Sequence, residues 1–239
     1  MSAREAAKAG GGARRLSPEV IVEAAIRIAA RGRSDGLTGR ALGEELGVDR
    51  SSVWRHFTDK DALLLAVGDR LLTMALDRVP EGLETRERLE TLARAVVETY
   101  VAHPYAGAAV SARTTGGPGE RAVVDTMLAA LREQGLRDED VPRYYRMLAD
   151  SVLAYAGMRA GYSVLSEESR ARDELAWSRD YGNVDATGYP ALAAFAPHLA
   201  AIDEETVWDT LMETFWLAID ARVRVTGGSR APRGGESDV

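Results

Sequence analysis

Apolar residues recur at three- and four-residue intervals along nearly the whole chain, and no stretch alternates apolar and polar positions as a strand would. Ser17-Pro18-Glu19 starts the first helix with a serine cap, a proline at the first helical position and an acid in the first turn. Ile21, Ala25 and Ile28 carry it to about Ala30. Ala41, Leu42 and Leu46 mark the buried side of a short helix that Thr38 caps and Gly47 ends, glycine tolerating the left-handed geometry of a C-terminal cap. Asp49 caps a second short helix, Arg50 to His56, anchored by Val53 and Phe57. Thr58 is expected to cap the third, with Asp61 three residues on resembling a capping box. That helix runs from Asp59 to about Arg78, with Leu64, Val67, Leu71 and Ala75 as its inner stripe, long enough to reach from a head to a body.

The remainder continues in the same period. Leu89, Leu92, Val96 and Tyr100 define a helix from Thr85 to Ala102, stopped by His103-Pro104, and a short alanine-rich helix reaches about Arg113. Residues 114–119 form a loop. Glu120 to Gln134 is helical and ended by Gly135, and Val141 to about Leu165 is a longer helix starting beside Asp138-Glu139-Asp140. Its Leu148, Val152, Tyr155 and Tyr162 share one side, while Ala154, Gly157 and Gly161 let another helix approach closely. Residues 166–190 are charged, then rich in Gly, Asn and Asp; a loop of that length is functional or partly helical. A short helix follows Pro190. The last, Glu204 to about Val225, is apolar over a broad face through Trp208, Leu211, Met212, Phe215, Trp216 and Ile219, which implies burial on two sides. The fold class is all-α.

Two short helices joined through a glycine-bearing turn are the helix-turn-helix pattern, whose second helix enters the DNA major groove. Arg50, Ser51 and Ser52 stand at the N-terminal end of that second helix, where side chains reach base edges. Arginine can bind guanine through two hydrogen bonds, and serine can donate or accept. Trp54, Arg55 and His56 suit sugar packing and phosphate contact, and Trp54 also suits simple packing.

The stretch GLTGRALGEELGVDRSSVWRHFTDKDALL resembles the DNA-binding segment of the tetracycline-repressor (TetR) family. The features that carry it are Gly36-Leu37-Thr38, Arg40, the run from Leu42 to Val48, the aromatic-x-His-Phe of Trp54 to Phe57, and Lys60 with Ala62-Leu63-Leu64. The strong match covers roughly residues 17–70, and beyond it the likeness is one of helical layout. The family usually has tyrosine where this chain has Trp54. The resemblance implies that Arg40, Arg50, Ser51, Ser52 and Trp54 read bases, while Thr38, Arg55, His56 and Lys60 hold the backbone. It also implies homodimers, through a four-helix bundle from the Ala154–Gly161 helix and the last helix, on an inverted-repeat operator. A single short recognition helix reads few base pairs, so paired heads are expected on physical grounds too.

The implied domain plan is a basic arm over 1–15, a helix-turn-helix domain over 16–62, an effector-binding and dimerisation domain over 63–226, and a polar tail from 227 to 239. The arm carries Arg4, Lys8, Arg14 and Arg15 against Glu5 in an alanine- and glycine-rich setting; it is expected to be disordered, as a solubilising tail or an arm on phosphate or the minor groove. The net charge of −7 would disfavour DNA were it evenly spread. It is not. Residues 1–65 hold 11 Lys and Arg against 9 acids, a balance of +2, and residues 66–239 hold 19 against 28, a balance of −9. A mildly basic head on an acidic body turns the head toward phosphate.

With no cysteine the chain has no disulfide, thiolate metal site or cysteine nucleophile, which fits a reducing cytoplasm. No apolar run approaches the length of a membrane span, and the N-terminus lacks a signal-peptide core. There is no glycine-rich phosphate loop, paired-histidine zinc helix or nucleophile elbow, and His56, His103 and His198 are far apart in sequence. An all-α enzyme using the helix-turn-helix only structurally would need a convergent acid/base or metal site, and none is visible. No metal or cofactor is expected. The reading is a DNA-binding regulator, a repressor released by a small organic effector. In the tetracycline repressor a histidine on the sixth helix helps bind the metal–drug complex, and the approximate match here falls on Ser111. A mostly apolar ligand bound without metal is therefore expected, near His103, Tyr105, Ser111, Arg113, Tyr155 and Trp177.

Overall fold

In the computed structural model, residues 16–31 and 37–228 are described. The expectations for the arm over 1–15 and for residues 229–239 of the tail lie outside them, as does the side chain of Trp177. Among the described residues there are helices and no strand.

The head is built from α1 (Pro18–Ala30), α2 (Gly39–Leu46) and α3 (Arg50–Val53). Each start is capped as the sequence predicts: the Ser17 side chain accepts from the Val20 N–H, Thr38 from Ala41 at 3.2 Å and Asp49 from Ser51 at 2.7 Å. Gly47 closes α2 with φ 66°. Ile21, Ala25 and Ile28 of α1, Leu42 of α2, Val53 and Phe57 form one buried cluster. Arg27 and Arg31 both hold Glu45, tying α1 to α2. Ala41 and Leu46 are only half-buried, because α2 is short and its flank faces solvent.

Two expectations are corrected. The second helix ends at Val53, and residues 54–56 continue it as a turn. The cap of the next helix, α4 (Lys60–Leu76), is Asp59, whose carboxylate accepts the Ala62 N–H at 2.8 Å; the Thr58 hydroxyl donates to that carboxylate instead. A carboxylate serves the exposed amides better than a hydroxyl. Asp61 is thus free to pair with Arg113.

The body holds α5 (Thr85–Ala102), α6 (Pro104–Val110), α7 (Pro118–Glu133), α8 (Val141–Ser163) and α11 (Glu204–Gly228), with α5 and α6 packed on α8 and α4 lying against α5 and α7. Residues 166–190 are partly helical: α9 (Glu167–Leu175) runs into a π-helical segment, Ala176–Asp180, before α10 (Pro190–Ala200). No residue of α9 is buried.

Helix α4 is keyed to the body by glycines and one carboxylate. A Cβ on Gly68 would meet Val110 at 3.1 Å, and Asp69 accepts the N–H groups of Gly119 and Glu120 at 3.1 and 2.8 Å, capping α7 from the side. Helix α11 runs antiparallel alongside α5 and α8. Arg86 and Arg94 of α5 lie over the rings of Trp216 and Trp208, and Tyr155 of α8 meets Trp208 at 5.8 Å between ring centroids.

At the foot of α8, Asp140 is sealed from solvent and accepts from Arg222 Nε and Nη2 at 2.8 and 2.9 Å. Arg222 chiefly, with Arg137 behind it, holds this carboxyl below the usual carboxylate range. A carboxyl with a depressed folded pKa stabilises the fold above its unfolded pKa of about 3.9, and that contribution disappears as pH falls through the folded value. Asp140→Asn should therefore lower the melting temperature at neutral pH and flatten its fall in acid. Melting curves from pH 7 down to 2 check this, and a variant with the wild-type acid slope would assign the dependence elsewhere.

Candidate nucleic-acid interface

Capping fixes where the recognition helix begins, and two close approaches fix where it lies. A Cβ on Gly43 would stand 2.8 Å from the Val48 carbonyl oxygen and 3.3 Å from the Arg50 nitrogen, so α2 meets the turn backbone-to-backbone. A Cβ on Gly39 would run into the indole of Trp54. Trp54 is accordingly half-buried across the start of α2, and packing is the geometry it adopts here.

The outward surface carries the basic side chains. Arg50, Arg55, His56 and Lys60 are exposed, and none closes an ion pair among the described residues. Thr38 and Ser51 are exposed beside them and Ser52 is half-buried. Ser51 is the main contributor holding the Asp49 carboxyl below its ordinary range, with Arg50 and Arg55 adding attraction, so the cap stays ionised. Arg40 is exposed as well, but its guanidinium donates to Glu44 one turn on at 2.9 Å. It must leave Glu44 to reach a base. Lys60 opens α4, whose first N–H groups lie next to the recognition helix and can take a phosphate oxygen.

The residues expected around an effector do not form one cluster. Ser111, just beyond α6, sits where a Cβ on Gly157 would be, so the helix that Gly157 admits is α6 of the same chain and not a partner's. Tyr155, two residues earlier, turns the other way: its hydroxyl donates to the Glu204 carbonyl at 3.1 Å. His103 places Nδ1 2.9 Å from the Thr99 carbonyl, and Tyr105 is half-buried on α6. Arg113 forms a two-armed ion pair with Asp61 at 2.8 Å, joining the end of α6 to the first turn of α4. One polar group was not foreseen: the Thr99 hydroxyl is buried in α5 without a hydrogen-bond partner. A threonine on a helix reads as a surface residue unless its burial is known. Among the described residues no three His, Asp or Glu converge to hold a metal ion, and no helix is long and apolar enough to cross a membrane.

A three-helix head with a capped, cation-bearing second helix on a separate helical body defines a helix-turn-helix DNA-binding regulator. The chain belongs to the tetracycline-repressor family. Residues 21–67 match the model for bacterial regulatory proteins of the tetR family, and residues 80–213, more than half of the chain, match that for the tetracyclin repressor-like C-terminal domain. It is 34% identical over 91 residues to the HTH-type transcriptional repressor Rv1353c of Mycobacterium tuberculosis, a match covering 37% of this chain and 35% of that protein. It thus spans about a third of that relative's length. Among solved structures it is similar to ActR of Streptomyces coelicolor in complex with actinorhodin (TM-score 0.75, 23% identity, covering 87% of this chain and 98% of that one). It is also similar to BioQ with its double-stranded DNA operator (TM-score 0.53, 25% identity, 79% and 100% covered).

Proposed function

We propose that this protein is a homodimeric transcriptional repressor that binds an inverted-repeat operator and is released from it by a small organic effector. The observation that carries the DNA half is the exposed, unpaired quartet of Arg50, Arg55, His56 and Lys60 on a head whose turn geometry is fixed by Gly43 and Gly47. Arg50, Ser52 and, once freed from Glu44, Arg40 read base edges, and Ser51 follows where its hydroxyl can turn from Asp49. Trp54 acts at the edge of the interface as a packing wedge. Thr38, Arg55, His56 and Lys60 contact phosphate. The domains divide at α4, with 16–62 as head and 63–226 as body. The chain works by binding and not by turnover, in the cytoplasm where its DNA is.

The effector half rests on the family and on α5 to α8, where the unpartnered Thr99 hydroxyl, His103, Tyr105 and Ser111 offer polar handles within an apolar body. The complex of ActR with actinorhodin supports an organic ligand in a body of this shape. The ligand is expected to bind without metal. The Arg113–Asp61 pair supplies the link from the end of α6 to the head-bearing end of α4. An effector that prefers one arrangement of that link shifts DNA affinity by its differential affinity for the two states.

Selection from random duplexes should yield an inverted repeat with half-sites about one helical turn, roughly 34–36 Å, apart. On it Arg50→Ala should cost about 1–3 kcal/mol and relax preference at one base pair. Lys60→Ala should weaken all duplexes alike and flatten the salt dependence. Unchanged affinity and preference in Arg50→Ala would misplace the recognition helix.

A further inference from the structure

A groove of about 610 Å³ runs between the head and the body. Helix α1 supplies one wall with Pro18, Glu19, Val22 and Glu23; α4 forms the floor with Leu65 and Ala66; the α6–α7 loop and the start of α7 supply the other wall through Thr115 and Pro118. Phe57, from the end of the recognition segment, closes one end. The volume falls within the range of small-molecule sites, about 300–1,000 Å³, and most of its exposed lining surface is apolar. The groove between α5 and α11 differs: its Trp208 and Trp216 already lie under Arg94 and Arg86.

The charges of the head–body groove select its occupant. Three carboxylates and one guanidinium border it. Glu23 is paired with Arg70, which also reaches Asp77, and Asp69 is committed to the α7 N-terminus. Glu19 is left. It forms no ion pair among the described residues, and the adjacent Ser17 side chain chiefly holds its carboxyl below the ordinary range. An apolar trough with one unspent carboxylate on its rim, and with its only arginine engaged, matches a cation and repels an anion. A neutral molecule leaves that carboxylate unused.

We propose that this groove binds a small organic cation with an apolar, aromatic-sized body, its charge on Glu19 and its apolar part along Val22, Phe57 and Leu65. Because the occupant touches head, connecting helix and body at once, its affinity depends on the angle between head and body. The site is therefore coupled to operator binding, a second clause that rests on the regulator reading above. This is a separate position from the α5–α8 region assigned to the effector.

Calorimetric titration of the full chain, without DNA, with trimethyl(2-naphthylmethyl)ammonium tests the site; 2-naphthalenemethanol and 2-naphthoate are the neutral and anionic comparisons. One saturable site per chain is expected, with the alcohol weaker by about three- to fivefold, the scale of a partly exposed ion pair, and the acid weaker still. Glu19→Gln should reduce the cation's affinity to that of the alcohol. Ala66→Phe, which fills the floor, should abolish binding while the melting curve stays cooperative. Absence of saturable binding, equal binding of the anion, or undiminished binding by folded Ala66→Phe would overturn the site. On the selected duplex, the cation should change DNA affinity by the same factor by which DNA changes the cation's. A cation that binds yet leaves DNA affinity unchanged would overturn the coupling. A chain that binds the cation but enriches no duplex would overturn the regulator reading and leave the site standing.

Discussion

Gly43→Val should abolish operator binding while leaving the body folded. The Cβ alone would stand 2.8 Å from the Val48 carbonyl oxygen, and both neighbours of concern, Val48 and the Arg50 nitrogen, are backbone. A flexible side chain could swing away from such a collision; a turn cannot. Relief requires opening the junction between α2 and α3, and overpacking of this kind costs about 1–3 kcal/mol or more. The cost falls on a small head whose core is shared among α1, Leu42, Val53 and Phe57. The recognition helix then leaves the position from which Arg50 points outward. Electrophoretic shift on the selected duplex, with far-UV circular dichroism as the control, measures both halves. Full operator affinity in Gly43→Val would mean that the turn tolerates a wider geometry than its contacts indicate.

The second large effect concerns the proposed dimer. Met147, Ala154, Met158 and Gly161 share one exposed face of α8, and Val207, Thr214, Leu217, Ala221 and Val225 share one exposed face of α11. Met158 is 60% and Leu217 59% exposed in the single chain, an unusual state for large apolar groups on two long helices. Leu217→Asp should yield a folded monomer. Its affinity for the inverted repeat should drop by about 10²-fold or more, because the second head is no longer delivered at high effective concentration. Phe215→Asp, two residues away, should behave differently, since Phe215 is buried inside its own chain and a charge there unfolds the body. Sedimentation and duplex binding on the pair separate the cases. A Leu217→Asp protein that still sediments as wild type would place the dimer contact elsewhere.

Gly157 illustrates how far sequence spacing reaches. Ala154, Gly157 and Gly161 read as one small-residue line inviting a neighbouring helix. Ala154 and Gly161 do face outward, but Gly157 is turned toward Ser111. Spacing gives the existence of a close approach and not the identity of the helix that makes it. Tyr155 was in the same position: its place in the helix was readable, and its partners Trp208 and Glu204, some fifty residues away, were not.

Features under local chemical control were legible along the chain. Caps at Ser17, Thr38 and Asp49, the left-handed Gly47 and the proline starts set helix boundaries to within a few residues, because each acts through a backbone group at most a few positions away. The helix-turn-helix was legible for the same reason, since its turn and its outward residues form one continuous stretch. Thr58 and Asp59 both stood where a cap could form; the Asp59 carboxylate takes the Ala62 N–H, and the Thr58 hydroxyl donates to it instead. Which partners meet across the chain follows from helix packing: Asp140 with Arg222, Asp69 with the start of α7, Arg94 with Trp208, and the groove between α1, α4 and the α6–α7 loop. Such pairings depend on how whole helices pack, and helical periodicity fixes the face a residue occupies without fixing what lies opposite it.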